Sequence, residues 1–266
     1  MVAALPAGGV LTLAGSVVQA TSRNPLAQPG LIGVTAGAGL GAVLATGAGT
    51  GTGTLVAAAV TGALAAFAVV YGLSWRQGLD AERLVLVGIG LWYGLSSLSA
   101  YLLLRANPWD TPRIYTWLSG TTYGRTWEEV LPVAVGLVVA VPVALARHRE
   151  LDLLALDDDT PRLVGVHLER TRAVMVVVAA VLGALSVAAV GVVAFVGLVA
   201  PHVARGLVGG RHVRILPVAV AVGAVLLGLA DVIGRTVIAP AQVPAGLVVS
   251  MLGAPYFVYL MSRSRR

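Results

Sequence analysis

The 266-residue chain contains no cysteine, and none of its 18 basic residues is lysine. The first absence excludes disulfides and thiolate metal sites and leaves the redox compartment unreadable. The second excludes the phosphate-binding loop GxxxxGK[ST], whose lysine reaches the nucleotide phosphates, so any ATP hydrolysis has to sit on another polypeptide. Charge is also scarce, at 11% of residues against 58% hydrophobic, with a mean hydropathy of +0.89. A soluble core of this size would need more polar surface. Aromatic residues make up only 6%, while there are 33 glycines, a balance suited to helices that pack closely inside lipid.

What is present are apolar runs long enough to cross a hydrocarbon layer at about 20 residues each. They fall at 1–20, 31–47, 54–73, 83–104 and 130–146. The run 173–208 would be about 54 Å long as one helix, too long for a single crossing, and is split near Ser186–Gly191. Two more runs follow, at 215–231 and 243–261. The expectation is an all-α, polytopic membrane protein of about nine transmembrane helices forming one domain over 1–266.

The arginines between these spans give an orientation. If the segment 147–172 is cytoplasmic, fourteen arginines lie on that side and only Arg105, Arg113, Arg125 and Arg235, four in all, lie opposite. The chain is then a plasma-membrane protein with a cytoplasmic C-terminus and Met1 outside. No basic leading region marks a cleavable signal peptide, and the start reads as truncated. The pI of 10.3 does not signal nucleic acid, because the arginines alternate with apolar spans instead of forming one basic face.

The segment 147–172, RHRELDLLALDDDTPRLVGVHLERTR, is a charge-dense island between nearly uncharged runs. Leu151, Leu153, Leu154 and Leu156 precede Asp157, Asp158 and Asp159. Thr160-Pro161 then opens a short helix with Arg162, Leu163 and Val164, ending near Gly165. Asp159 or Thr160 suits its N-cap, proline its first turn and glycine its exit. Two short helices with a hinge give a water-side partner something to grip; a solvated loop kept soluble by its acids is the plainer alternative.

Elsewhere, Asn24-Pro25 and Pro29-Gly30 interrupt the path between two spans. Non-helical backbone at membrane depth survives only inside protein or beside a water-filled cavity, so Asn24, Pro25 and Pro29 are candidates to line a translocation path. A plain cytoplasmic turn competes evenly. Gly37, Gly39 and Gly41 lie inside an apolar run with no preceding strand, so they serve helix packing and not dinucleotide binding. Asp231 and Arg235, four apart on one helix face, form a candidate pair at a membrane edge. Trp109, Tyr115, Trp117, Tyr123 and Trp127 crowd the long outer loop and suit the headgroup layer. His202 stands apart from His148, His167 and His212, so no metal site and no cofactor is assigned.

Four segments carry a family resemblance: SRNPLAQPGLIGVTAGAGLGAVL (22–44), LALDDDTPRLVGVHLERTR (154–172), FVGLVAPHVARGLVG (195–209) and ADVIGRTVIAPAQVPAGLVVSMLGAPYF (230–257). In this order they resemble the FecCD family, permease subunits of ABC importers for iron-siderophores, haem and cobalamin. The family fold usually has ten spans, so the resemblance implies that the first is lacking here. It implies that the island is an ATPase-coupling loop, with Leu153, Leu154, Leu156, Asp157, Asp158, Asp159, Arg162, Leu163 and Gly165 as its contact set. It further implies that Arg235, oriented by Asp231, receives an acidic residue of an extracytoplasmic substrate-binding protein. Asp157 stands where a glycine is usual, Pro161 where a small residue is usual, and Gln28 where an acid is common.

The expected function is movement of ferric-siderophore complexes inward by a permease dimer, driven by separate ATPase subunits, with no bond chemistry of its own. A cobalamin or haem cargo is the neighbouring alternative. From other classes come an ion-coupled secondary transporter, disfavoured by the lack of ionisable residues at mid-span, and a membrane scaffold.

Overall fold

In hydrocarbon no water satisfies peptide N–H and C=O groups, so long apolar runs fold as helices that satisfy themselves. The computed structural model describes residues 2–49, 51–75, 81–156 and 167–263. Among these run eleven α-helices: α1 (Ala4–Ser22), α2 (Val34–Gly47), α3 (Thr52–Ser74), α4 (Ala81–Arg105), α5 (Thr111–Leu118), α6 (Trp127–Ala146), α7 (His148–Leu154), α8 (Leu168–Val190), α9 (Val196–Val208), α10 (His212–Thr236) and α11 (Ala245–Arg263). A 3-10 turn at Pro29–Ile32 precedes α2. Six helices, α1, α3, α4, α6, α8 and α10, are long and apolar enough to cross a membrane, and three shorter apolar ones lie at 34–47, 196–208 and 245–258. Each of the nine expected runs is therefore helical. The short α5 and α7 sit at opposite ends of the bundle.

Helix α1 is the axis, surrounded by α6, α8, α9 and α10 and buried along nearly its whole length. Its small residues allow this. Gly8 lies against the Gly223 carbonyl of α10, and Gly15 against the Gly197 carbonyl of α9, leaving no room for a Cβ. The hydroxyls of α1 are satisfied within the helix: Thr12 Oγ1 donates to the Gly8 carbonyl at 2.8 Å, Ser16 Oγ to Thr12 at 2.9 Å and Thr21 Oγ1 to Val17 at 2.9 Å. By contrast α3, α4 and α6 turn Leu73, Leu86, Leu104 and Val138 outward, the apolar faces a bilayer requires.

The long run 173–208 breaks at the far end of the expected interval Ser186–Gly191. Ser186 is buried inside α8, its hydroxyl 3.4 Å from the Ala7 carbonyl, and the helix continues to Val190. Gly191 ends it at φ +77°, a conformation reserved for glycine, packed on the Trp117 carbonyl. Residues 191–195 then return as non-helical chain into the bundle, and α9 begins at Val196.

The Gly8–Gly223 contact makes a direct test. Gly223→Leu should lower the unfolding midpoint in detergent by an amount equivalent to about 1–3 kcal/mol, the usual cost of overpacking. Gly72→Leu, where a Cβ meets nothing within 4 Å, should leave the midpoint unchanged.

Candidate functional site

Two interruptions of the helical pattern, the 23–33 segment and the 191–195 segment, meet inside the bundle. Arg23, at φ +50°, ends α1, and Asn24 Oδ1 accepts the Leu26 N–H at 2.9 Å to turn the chain. Asn24 is half-buried and Pro25 exposed, at the same end of the bundle as α7, whereas Pro29 is buried. The turn that follows presses on α4 so closely that a Cβ on Gly88 would overlap the Leu31 carbonyl oxygen. Gln28 Oε1 accepts the N–H of Phe195 at 3.4 Å and so ties the two interruptions together. Phe195 holds φ +67°, a rare conformation for a bulky residue and a mark of local strain.

Around this joint lies a cavity of about 390 Å³, lined by Gln28, Pro29, Thr35, Trp92, Tyr93 and Val193 among others. Trp92 and Tyr93 stand edge to face with ring centroids 4.9 Å apart. Of the three residues expected on a translocation path, the structure brings Pro29 to this cavity, while Asn24 and Pro25 form the turn leading to it.

At the α5 end, Asp231 is buried and accepts from Arg235 Nε at 2.9 Å and from the Thr122 hydroxyl. The Arg235 guanidinium, one third exposed, lies 5.6 Å from the centroid of the Tyr123 ring. A recess of about 290 Å³ opens beside it, lined by Thr116, Thr122, Tyr123, Asp231, Arg235 and Gln242 among others. The i,i+4 spacing anticipates the ion pair; Thr122 and Tyr123 come from the loop after α5 and carry no sequence signal for this role. Trp117 is buried against Gly191 and so braces the interior, whereas Trp109, Tyr115, Tyr123 and Trp127 remain exposed. Glu129 accepts from Arg125 at 2.8 Å and from the Thr126 N–H at 2.9 Å, fixing the start of α6.

At the α7 end, Leu151 and Leu154 are fully buried between α7 and its neighbours α1, α6, α8 and α10. Leu154 therefore holds α7 to the bundle, leaving Leu153 half-buried and Leu156, 65% exposed, toward the surface. Asp157, Asp158, Asp159, Arg162, Leu163 and Gly165 lie outside the described residues. Asp152, between the two buried leucines, reaches α10 instead: its Oδ1 accepts the main-chain N–H of His212 at 2.8 Å and the ring N–H at Nδ1 at 2.6 Å. His202 stands edge-on to Tyr256, and Arg205 donates to Gln19 Oε1.

The model of the FecCD transport family matches residues 1–263. The chain belongs to that family. It is 37% identical over 99% of its length to the iron(3+)-hydroxamate import system permease protein FhuG of Bacillus subtilis, covering 81% of that protein. It is 36% identical over 98% of its length to the Fe(3+) dicitrate transport system permease protein FecD of Escherichia coli, covering 82% of it. A solved structure described as an inward-facing metal-chelate type ABC transporter superposes with a TM-score of 0.92 at 31% identity, over 98% of this chain and 84% of that one. This FecCD protein is thus a multi-pass membrane permease subunit of an ABC importer, works with ATPase partners, and is not itself an enzyme.

The buried Asp231 oxygen that receives the Thr122 hydroxyl gives a prediction for the α5 end. Thr122→Val should destabilise the permease by about 1–3 kcal/mol, since it removes a donor from a buried carboxylate. Thr122→Ser should retain most of that stability, as read by chemical unfolding in detergent.

Proposed function

We propose that this FecCD permease moves ferric chelates of the hydroxamate or hydroxycarboxylate kind into the cytoplasm, as one half of a permease dimer. The observation that carries this reading is the full-length match to permeases for iron(3+)-hydroxamate and Fe(3+) dicitrate, joined to a fold shared with a metal-chelate type transporter. The arginine bias puts the α7 end, with the C-terminus, in the cytoplasm. There α7 and the segment after it receive the ATPase, with Leu153, Leu156 and Leu163 as apolar anchors and Asp157, Asp158, Asp159 and Arg162 fixing orientation. Exposed ion pairs of this kind contribute at most about 1 kcal/mol each, so the apolar contacts dominate affinity. Leu154 supports the handle from behind, and Gly165 belongs to the same proposed contact set.

At the other end Arg235 presents its guanidinium to an acidic residue of the binding protein. Three groups pre-orient it: the Asp231 carboxylate, itself held by Thr122, and the Tyr123 ring. A side chain held in place loses less freedom on docking. The joint of Gln28, Pro29 and Phe195, with Asn24 and Pro25 leading into it, borders the path along which cargo passes. Alternation between outward and inward opening requires that ATP-driven approach of the ATPases favour one state over the other through α7.

Reconstitution with the ATPase and a loaded binding protein tests the reading. ATP turnover should rise on adding binding protein charged with a ferric hydroxamate or ferric citrate, and labelled iron should enter the vesicles. Turnover that ignores the loaded binding protein would reject it. The Leu156→Asp, Leu163→Asp double variant should insert normally yet lose the ATPase on pull-down. Arg235→Glu should weaken binding-protein docking about tenfold, or about 1.4 kcal/mol, in a direct binding measurement.

A further inference from the structure

Helix α10 joins the two ends of the molecule that the importer reading assigns to different partners. Its first residue, His212, is buried beneath α7, and its last two turns carry Asp231 and Arg235. At 1.5 Å per residue it is about 36 Å long. Between Ile215 and Ala230 it has no charged side chain.

The inner end of α10 is capped from outside. Arg211, at its N-cap, makes no side-chain capping bond. The acceptor comes in trans from Asp152 of α7, whose Oδ1 takes both the His212 main-chain N–H and the ring N–H. A carboxylate at this position also meets the positive end of the helix dipole. Helix α7 is in turn fixed by Leu151 and Leu154, both fully buried, on either side of Asp152. A displacement of α7 is therefore passed to the start of α10 through a directional, charge-assisted contact.

Near its middle, α10 touches α1 backbone to backbone at Gly223 and Gly8. From this contact, eleven residues lead to His212 and twelve to Arg235, two arms of about 16 and 18 Å. Tilting about that point moves both ends by similar amounts in opposite directions. Pro217 removes one ladder hydrogen bond in the inner arm, but the helix runs through it without a break.

We propose that Asp152 and His212 form a latch that makes α7 and α10 move as one body, so that α10 transmits between the ATPase handle and the binding-protein end. Asp152 and His212 act as positioning residues; neither contacts cargo or nucleotide. The proposal rests on the importer reading above.

The test uses the assembled complex in lipid, with ATPase and loaded binding protein. Asp152→Ala should keep the ATPase on co-purification and leave unstimulated turnover unchanged. Stimulation by the loaded binding protein should fall about fivefold or more, the lower end of typical coupling between two sites. Asp152→Asn, whose Oδ1 still accepts the His212 N–H, should retain most of the stimulation. Because the chain has no cysteine, Asp152→Cys with His212→Cys introduces a single thiol pair into one folded protein. Stimulation should be present when the pair is oxidised, lost on reduction and regained on reoxidation. Equal stimulation in both redox states, abolition by the disulfide, or full stimulation of Asp152→Ala would overturn the latch. A wild-type complex that the loaded binding protein fails to stimulate would overturn the importer reading itself, and the latch with it.

Discussion

Peptide groups inside hydrocarbon have no water to turn to, and this one constraint organises the molecule. Six of the described helices are long and apolar enough to meet it by crossing intact. The chain departs from a helix inside the bundle in two places, 27–33 and 191–195, and there it is covered by protein and partly satisfied across the gap, as where Gln28 receives the Phe195 N–H. The deep burial of α1 follows from the same need. Its glycines let α9 and α10 close around it, and α9 is the helix that begins at the second interruption.

Much of this was legible in the sequence, for a physical reason. An apolar run is defined by length and apolarity alone, so each of the nine coincides with a helix, most of them within three residues of its observed limits. The interruption at Asn24-Pro25 and Pro29-Gly30 was legible because proline and the residue before it resist helix. The break in the run 173–208 was legible only to within Ser186–Gly191, because from sequence either the Ser186 hydroxyl or Gly191 could mark it. In the fold that hydroxyl finds the Ala7 carbonyl, and the glycine after Val190 ends the helix. The Asp231–Arg235 pair could be read from i,i+4 spacing, but Thr122 and Tyr123 could not, because no local pattern ties a loop residue to a helix 109 positions away. Nor did the sequence separate the leucines of α7: Leu151 and Leu154 share the face toward the bundle, and which face that is depends on α1, α8 and α10.

The absence of lysine and the scarcity of acid sharpen the meaning of each polar contact that remains. Asp231 and Asp152 both engage α10, one from within it and one across from α7. Both sit at its ends, where helix termini and edge loops supply donors. The span between is uncharged, so α10 pays no desolvation cost for buried charge along its length, and its lateral contacts are apolar, with Ile215, Leu216 and Leu227 fully buried alongside Gly223.

That contrast bears on how such a helix moves. Contacts between Gly223 and Gly8 are non-directional dispersion, individually small and renewed as the surfaces shift. The contacts at the ends are hydrogen bonds between charged and polar groups, which weaken steeply once distance or angle departs from the optimum. A helix that is loosely directed in the middle and tightly directed at both tips conserves its end contacts and slips at its centre when one neighbour moves. The distribution of polarity along α10 is therefore that of a lever, and the proposed latch at Asp152 is the point at which such a lever would be worked.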